Sequence, residues 1–294
     1  MSSDLHHCQS SVPLERIRLV LAGGGHSHLA VLEDWSRGAP PGTERILITP
    51  HRHFAYSGML PGWVEGLYSR QELLIDLAPL AEAAGAQLVL DEVVELNAQD
   101  NRLLLASGSQ LEFDTLSLAT GGSVDYSMFS ALGDRLTPIR PIGQFMKSWE
   151  EIRPRLAEGS GASVVVVGGG AAGVELALAI SASSQNDIDI SLVVGTAGLL
   201  DTHHPAVRKR VRTTFADRGI PIFEADAVGE IGGLCLSDGR HLPAELVIAA
   251  TGSVPPTWLD ESGLRLGPTG GVAIGPEMRS LSHSRIFAAG DVSE

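Results

Sequence analysis

The 294-residue sequence predicts an α/β protein built on two doubly wound parallel sheets with β-meander crossovers. Short apolar, β-branched runs alternate with segments of helical periodicity, and glycine clusters stand at the junctions between them. The chain also repeats itself. One half opens "RIRLVLAGGGHSHLAVL" and closes "LLLASGSQLEFDTLSLATGG"; the other opens "SVVVVGGGAAGVELALAI" and closes "LCLSDGRHLPAELVIAATGS". Each half thus offers an apolar strand, three glycines, a helix, a meander with Ser-Gly or Asp-Gly turns, and a strand ending Ala-Thr-Gly.

Each element has its own signal. Arg18 to Leu21 is a short β-rich run, and the segment after Gly25 turns helical through about Trp35. Ile46 to Thr49 reads as the second strand, reached across "RGAPPGTE". Glu72 to Ala84 has helical spacing of leucines, and Gly85 ends it with an easy left-handed cap. Leu88 to Asp91, Val93 to Leu96 and Arg102 to Ala106 read as strands. In the second half Ser163 to Val167 is an unbroken run suited to a strand buried on both faces. Val174 to Ala182 follows as a helix and Ile188 to Val194 as the next strand.

The glycines explain what such halves hold. A pyrophosphate needs its charge met without buried lysines, and backbone N–H groups at a helix start do this. In G-x-G-x-x-G the first glycine permits the tight turn, the second lets the phosphate approach, and the third lets helix and strand pack closely. Gly168, Gly170 and Gly173 fill all three slots, with Ala171 and Ala172 between the last two. Gly23 and Gly25 fill the first two slots of the other copy, flanked by Gly24, His26 and Ser27, but His28 stands third. His26 and His28 lie two apart with no cysteine or carboxylate cluster nearby, so no metal site is expected; a packing or capping role for His28 is favoured. His203-His204-Pro205 reads as a loop with a proline-set helix start.

Gross composition narrows the partners. Net charge is −14, against nucleic acid or an anionic membrane surface as main partner. The run Arg208-Lys209-Arg210 with Arg212 reads as a solvated helix face. The two cysteines, Cys8 and Cys235, form no C-x-x-C pair, which fits a reducing cytoplasm. Residues 1–15 lack an apolar signal core and read as a disordered polar tail. No stretch reaches the roughly 18 to 20 apolar residues of a membrane span.

Three further stretches, "HRHFAYSGMLPG", the paired "ATG" endings and "RIFAAGD", complete a pattern. With the two fingerprints they resemble flavoproteins of the pyridine nucleotide–disulfide oxidoreductase superfamily. Within it the chain looks most like type II NADH dehydrogenases. "GGGHSH", "YSGMLPG" and "RPIGQFMKSWEEI" bring it closer still to the FAD/NAD(P)-binding domain fused ahead of selenide, water dikinase.

The resemblance implies an FAD domain over 16–140 and 254–294, with an NAD(P)H domain inserted at 141–253. It implies that Gly23, Gly24 and Gly25 hold the FAD pyrophosphate and that Ser57, Gly58, Met59 and Leu60 line the flavin ring. Thr120-Gly121 closes the first FAD segment, and Asp291, after Gly290, meets the ribityl chain. Gly168 to Gly173 and Thr251-Gly252 hold NAD(P)H, and Glu175 matches an acid near the nicotinamide–flavin junction, or is simply a first-turn glutamate favoured by the helix dipole. His51 and His53 are open to either FAD contact or solvent.

The expected activity is hydride transfer from NAD(P)H to flavin, then electrons to a quinone or other small acceptor, since the redox dithiol of disulfide reductases is missing. The rival expectation is a non-catalytic nucleotide-binding module tied to selenophosphate synthetase. The acid expected roughly 20 residues after each fingerprint, to grip the adenosine ribose, is absent: the second strands end at Thr49-Pro50 and Gly195-Thr196. The small residue at 195 leaves NADPH admissible beside NADH. Family members continue past an ending such as "GDVSE" into a segment used for dimerisation or membrane attachment, so a homodimer and peripheral membrane contact of a longer form are also implied.

Overall fold

The computed structural model describes residues 16–158, 162–183 and 188–294; the tail expected to be disordered lies outside them. β1 (Ile17–Ala22) runs through the middle of a first sheet and turns into α1 (His26–Gly38). β2 (Thr43–Thr49) lies parallel to it, with Val20 opposite Ile46. A clip follows: β3 (His53–Ala55), a 3-10 turn at Ser57–Met59, α2 (Leu60–Glu65), α3 (Arg70–Leu73), β4 (Leu74–Asp76) and α4 (Leu77–Ala83). β5 (Gln87–Leu90) returns to the sheet beside β2. The antiparallel meander β6 (Val93–Asn97), β7 (Arg102–Leu105) and β8 (Gln110–Glu112) then leads to β9 (Thr115–Leu118), on the other side of β1.

The second half repeats the plan. β10 (Leu136–Pro138) and α5 (Ile142–Glu158) precede β11 (Ser163–Val167), α6 (Ala171–Ser183), β12 (Asp189–Val194), α7 (Pro205–Asp217) and β13 (Ile222–Glu224). The meander β14 (Ala227–Glu230), β15 (Gly233–Leu236) and β16 (His241–Pro243) leads to β17 (Leu246–Ala249), and β18 (Ile286–Ala288) returns to the first sheet. The parallel sheets run β18-β9-β1-β2-β5 and β10-β17-β11-β12-β13. Each puts its fingerprint strand in the centre and its Ala-Thr-Gly strand next to it.

Two expectations need correction. The helix expected over Glu72 to Ala84 is broken at β4, which pairs antiparallel with β3. Arg52 donates to both Asp76 oxygens at 2.9 and 2.7 Å, and Asp76 also accepts from the Ala78 amide at 3.0 Å, capping a new helix. Tertiary pairing outweighs the leucine spacing. The boundary at 140 also falls late. β10 pairs with β17, Thr137 opposite Ile248, because β18 takes the corresponding edge of the first sheet.

A helix pair packs the two halves together. α6 buries Val174, Leu176, Ala177, Ala179 and Ile180, nearly all round, as expected of a helix covered on two sides. Its second cover is α2: Leu60, Trp63 and Val64 share a core cluster with Val174 and Ala177. Each buried leucine or valine there contributes about 1.5–3 kcal/mol relative to exposure. Among the described residues no helix is long and apolar enough to cross a membrane.

Candidate functional site

Register sets the site. Ala22, Leu118 and Ala288 are aligned across β1, β9 and β18, so Gly23, Thr120-Gly121 and Gly290-Asp291 leave the same sheet edge side by side. Val167 and Ala249 are aligned in the second sheet, which brings Gly168 next to Thr251-Gly252. These are the carboxyl ends of parallel strands, where open α/β sheets bind ligands.

The first glycine of each turn is wedged against its own Ala-Thr-Gly strand. Gly23 has φ 98° and Gly168 φ 138°; a Cβ would lie 2.3 Å from the Ala119 oxygen and 2.2 Å from that of Ala250. A Cβ on Gly170, by contrast, would meet nothing within 4 Å, so its face is open to a ligand. No side chain caps α1 at Gly25, so its first-turn amides, among them those of His26 and Ser27, point out of the helix end. Thr120 Oγ1, next to this turn, is buried with no hydrogen-bond partner among the described residues. Two open amide ends and an orphaned hydroxyl suit a pair of diphosphates.

The third slot is solved differently in each half. A Cβ on Gly173 would stand 2.1 Å from the Gly168 oxygen, so that helix approaches too closely for any side chain. In the first half His28 is buried, with Nδ1 2.6 Å from the Gly23 carbonyl oxygen and Nε2 2.9 Å from Ser117 Oγ. The carbonyl can only accept, so Nδ1 carries the proton and Nε2 accepts from Ser117. Burial pushes the imidazole pKa down to about 4, partly opposed by the Gly23 bond, and the ring is neutral. The expected packing role is correct and is strengthened by these two hydrogen bonds.

The loop "HRHFAYSGMLPG" folds over the same edge. His26 lies edge-on to Phe54 at 4.8 Å and to Tyr56 at 4.9 Å, so the first turn and this loop share an aromatic cluster. Sequence reasoning missed Phe54 and Tyr56, although they stand within the quoted stretch. Ser57 and Gly58 are exposed and Met59 half-buried. Leu60 is not available to line a ring: it is 3% exposed and packs under α6 with Trp63. Arg52 is engaged with Asp76, whose carboxyl it holds down to about 2 together with the Ala78 amide.

Asp291 pairs with Arg140, a second residue that sequence reasoning missed, although "RPIGQFMKSWEEI" begins with it. Partial burial pushes the Arg140 pKa down. The two Ala-Thr-Gly endings also meet: Ser123 and Val254 exchange backbone hydrogen bonds of 2.9 and 2.8 Å. Glu175 is exposed in the second turn of α6, outside the first turn in which a dipole would favour it. His204 Nδ1 accepts from the Ala206 amide at 3.2 Å with Pro205 next to it, the expected helix start.

A family model described as pyridine nucleotide-disulphide oxidoreductase matches residues 17–294. The chain belongs to this family. The family's enzymes are NAD(P)H-dependent flavin oxidoreductases that use FAD. This family member is 28% identical over 302 residues to the seedling isozyme of monodehydroascorbate reductase from Cucumis sativus, covering 94% of the chain and 67% of the relative. It is 26% identical to peroxisomal monodehydroascorbate reductase 2 of Oryza sativa subsp. japonica, covering 94% and 62%. The ferredoxin reductase for the CYP199A2 system of Rhodopseudomonas palustris superposes with a TM-score of 0.76 at 25% identity, over 94% of this chain and 68% of that one. The chain thus spans 62% to 68% of the length of these three proteins.

Proposed function

We propose that this chain forms the two-coenzyme part of an FAD-dependent NAD(P)H oxidoreductase that hands electrons to a quinone-like or other small acceptor. The supporting observation is the alignment at one sheet edge of the fingerprint turn, the Ala-Thr-Gly end and the Gly-Asp end, with a second fingerprint cradle facing open space in the other half.

In this reading Gly23, Gly24 and Gly25, with the amides of His26 and Ser27, hold the FAD diphosphate. Thr120-Gly121 and Gly290-Asp291 border the same coenzyme, and Ser57, Gly58 and Met59 face its ring. Gly168, Gly170, Ala171, Ala172 and Gly173, with Thr251-Gly252, hold the nicotinamide dinucleotide; Glu175 lies on the helix that follows. Bound FAD supplies the capacity to take hydride from nicotinamide and release electrons to an acceptor. The chain's own part is binding, orientation and exclusion of water, and α2 packed on α6 fixes one cradle against the other. No cysteine pair stands by: Cys235 lies in the β15 meander strand, and Cys8 is outside the described residues.

The finer likeness, to type II NADH dehydrogenases and to the domain ahead of selenide, water dikinase, rests on "GGGHSH", "YSGMLPG" and "RPIGQFMKSWEEI". A visible spectrum tests the main reading. Purified protein, supplied with FAD, should absorb as a flavoprotein and bleach on anaerobic addition of NADH or NADPH. Protein that stays colourless after FAD is added contradicts it.

A further inference from the structure

In dinucleotide-binding sheets a carboxylate at the end of the second strand grips the adenosine ribose. Here β12 ends at Val194 and continues as Gly195-Thr196, with no acid at that end. The structure fills that place from the neighbouring strand. The Ala225 amide donates to the Val194 oxygen at 3.1 Å, which brings Asp226 alongside the end of β12. Asp226 Oδ1 accepts from the Thr196 amide at 3.0 Å, and a Cβ on Gly195 would stand 2.9 Å from that same oxygen. A side chain at 195 would push the carboxylate aside.

The position belongs to the cradle. The loop that begins at Gly195 folds back on the fingerprint turn, with the Leu200 amide donating to the Gly169 oxygen at 2.8 Å. Asp226 is exposed, and its Oδ2 makes no hydrogen bond among the described residues. Arg212, from the basic run of α7, is paired with Glu224, two residues before Asp226, rather than standing ready for a phosphate.

We propose that Asp226 supplies the missing ribose-binding carboxylate and makes the second half select NADH over NADPH. This rests on reading that half as the nicotinamide site. A carboxylate accepts hydrogen bonds from the ribose 2′-hydroxyl and repels a 2′-phosphate in the same place, so one group both attracts and excludes.

Equilibrium titration with NADH and with NADPH tests it, on the unaltered protein and on Asp226→Asn and Asp226→Ser. The unaltered protein should bind NADH at least about tenfold tighter than NADPH. Asp226→Asn keeps an oxygen for the Thr196 amide but loses the charge, so it separates selectivity from loop collapse. Both variants should bring the ratio close to one, through stronger NADPH binding as well as weaker NADH binding. A ratio that neither variant changes, or an original preference for NADPH, overturns the assignment of Asp226 and leaves the nicotinamide site intact. Binding of neither coenzyme to the unaltered protein overturns that site, and this proposal with it.

Discussion

His28 donates from Nδ1 to the carbonyl oxygen of Gly23 across 2.6 Å, closing by hydrogen bond a turn that Gly173 closes in the other half by having no side chain. The imidazole is buried and neutral, and its pKa lies near 4 against an ordinary value of 6.5. In the unfolded chain the same ring protonates near 6.5, so between these values the unfolded state binds more protons. Folding stability therefore falls as pH drops from 6.5 towards 4, by up to about 3 kcal/mol. Urea unfolding across this range checks it, and His28→Gln should flatten the slope attributable to this site.

Restoring the fingerprint glycine should harm this protein. His28→Gly removes two buried hydrogen bonds and leaves a cavity, at a cost of about 3 kcal/mol. Chemical denaturation measures this; a neutral result means that α1 closes onto β1 unaided.

Two glycines of one fingerprint should separate folding from binding: Gly173→Ala forces a methyl against the Gly168 oxygen, whereas Gly170→Ala points into open space. The first should lower the melting temperature by several degrees. The second should melt as the original does yet lose about tenfold or more in NAD(P)H affinity, read by titration.

Arg140→Gln should loosen the Asp291 end. Both partners are a little over one-third exposed, so the expected stability loss is at most about 1 kcal/mol. FAD titration should show a larger effect than the melting curve if Asp291 borders the flavin as proposed, because it is left without its partner.

Cys235→Ser should leave NAD(P)H oxidation with an artificial quinone unchanged, since the thiol sits in a meander strand away from both turns. A loss of turnover with unaltered flavin content would point to a thiol role in the electron path.

Much of this architecture was legible in the sequence because it depends on local patterns. β-branched runs such as Ser163 to Val167 and paired Ala-Thr-Gly endings carry their own signals, and duplication doubles them. Residues acting across the fold were not legible. Asp226 reaches the end of β12 only through strand pairing, and Arg140 meets Asp291 across a sequence gap that no spacing rule spans. β4 was hidden for the same reason: its partner β3, and Arg52 which pairs with Asp76, lie outside the window in which leucine periodicity reads as helix. Leu60 misled because a motif names a segment, while burial under α6 decides which of its side chains face outward.

The reciprocal bonds between Ser123 and Val254 tie together the two passages of chain by which one half leads into the other. With α2 seated on α6 as a second tie, the halves are joined at separate places, and neither can shift without straining both.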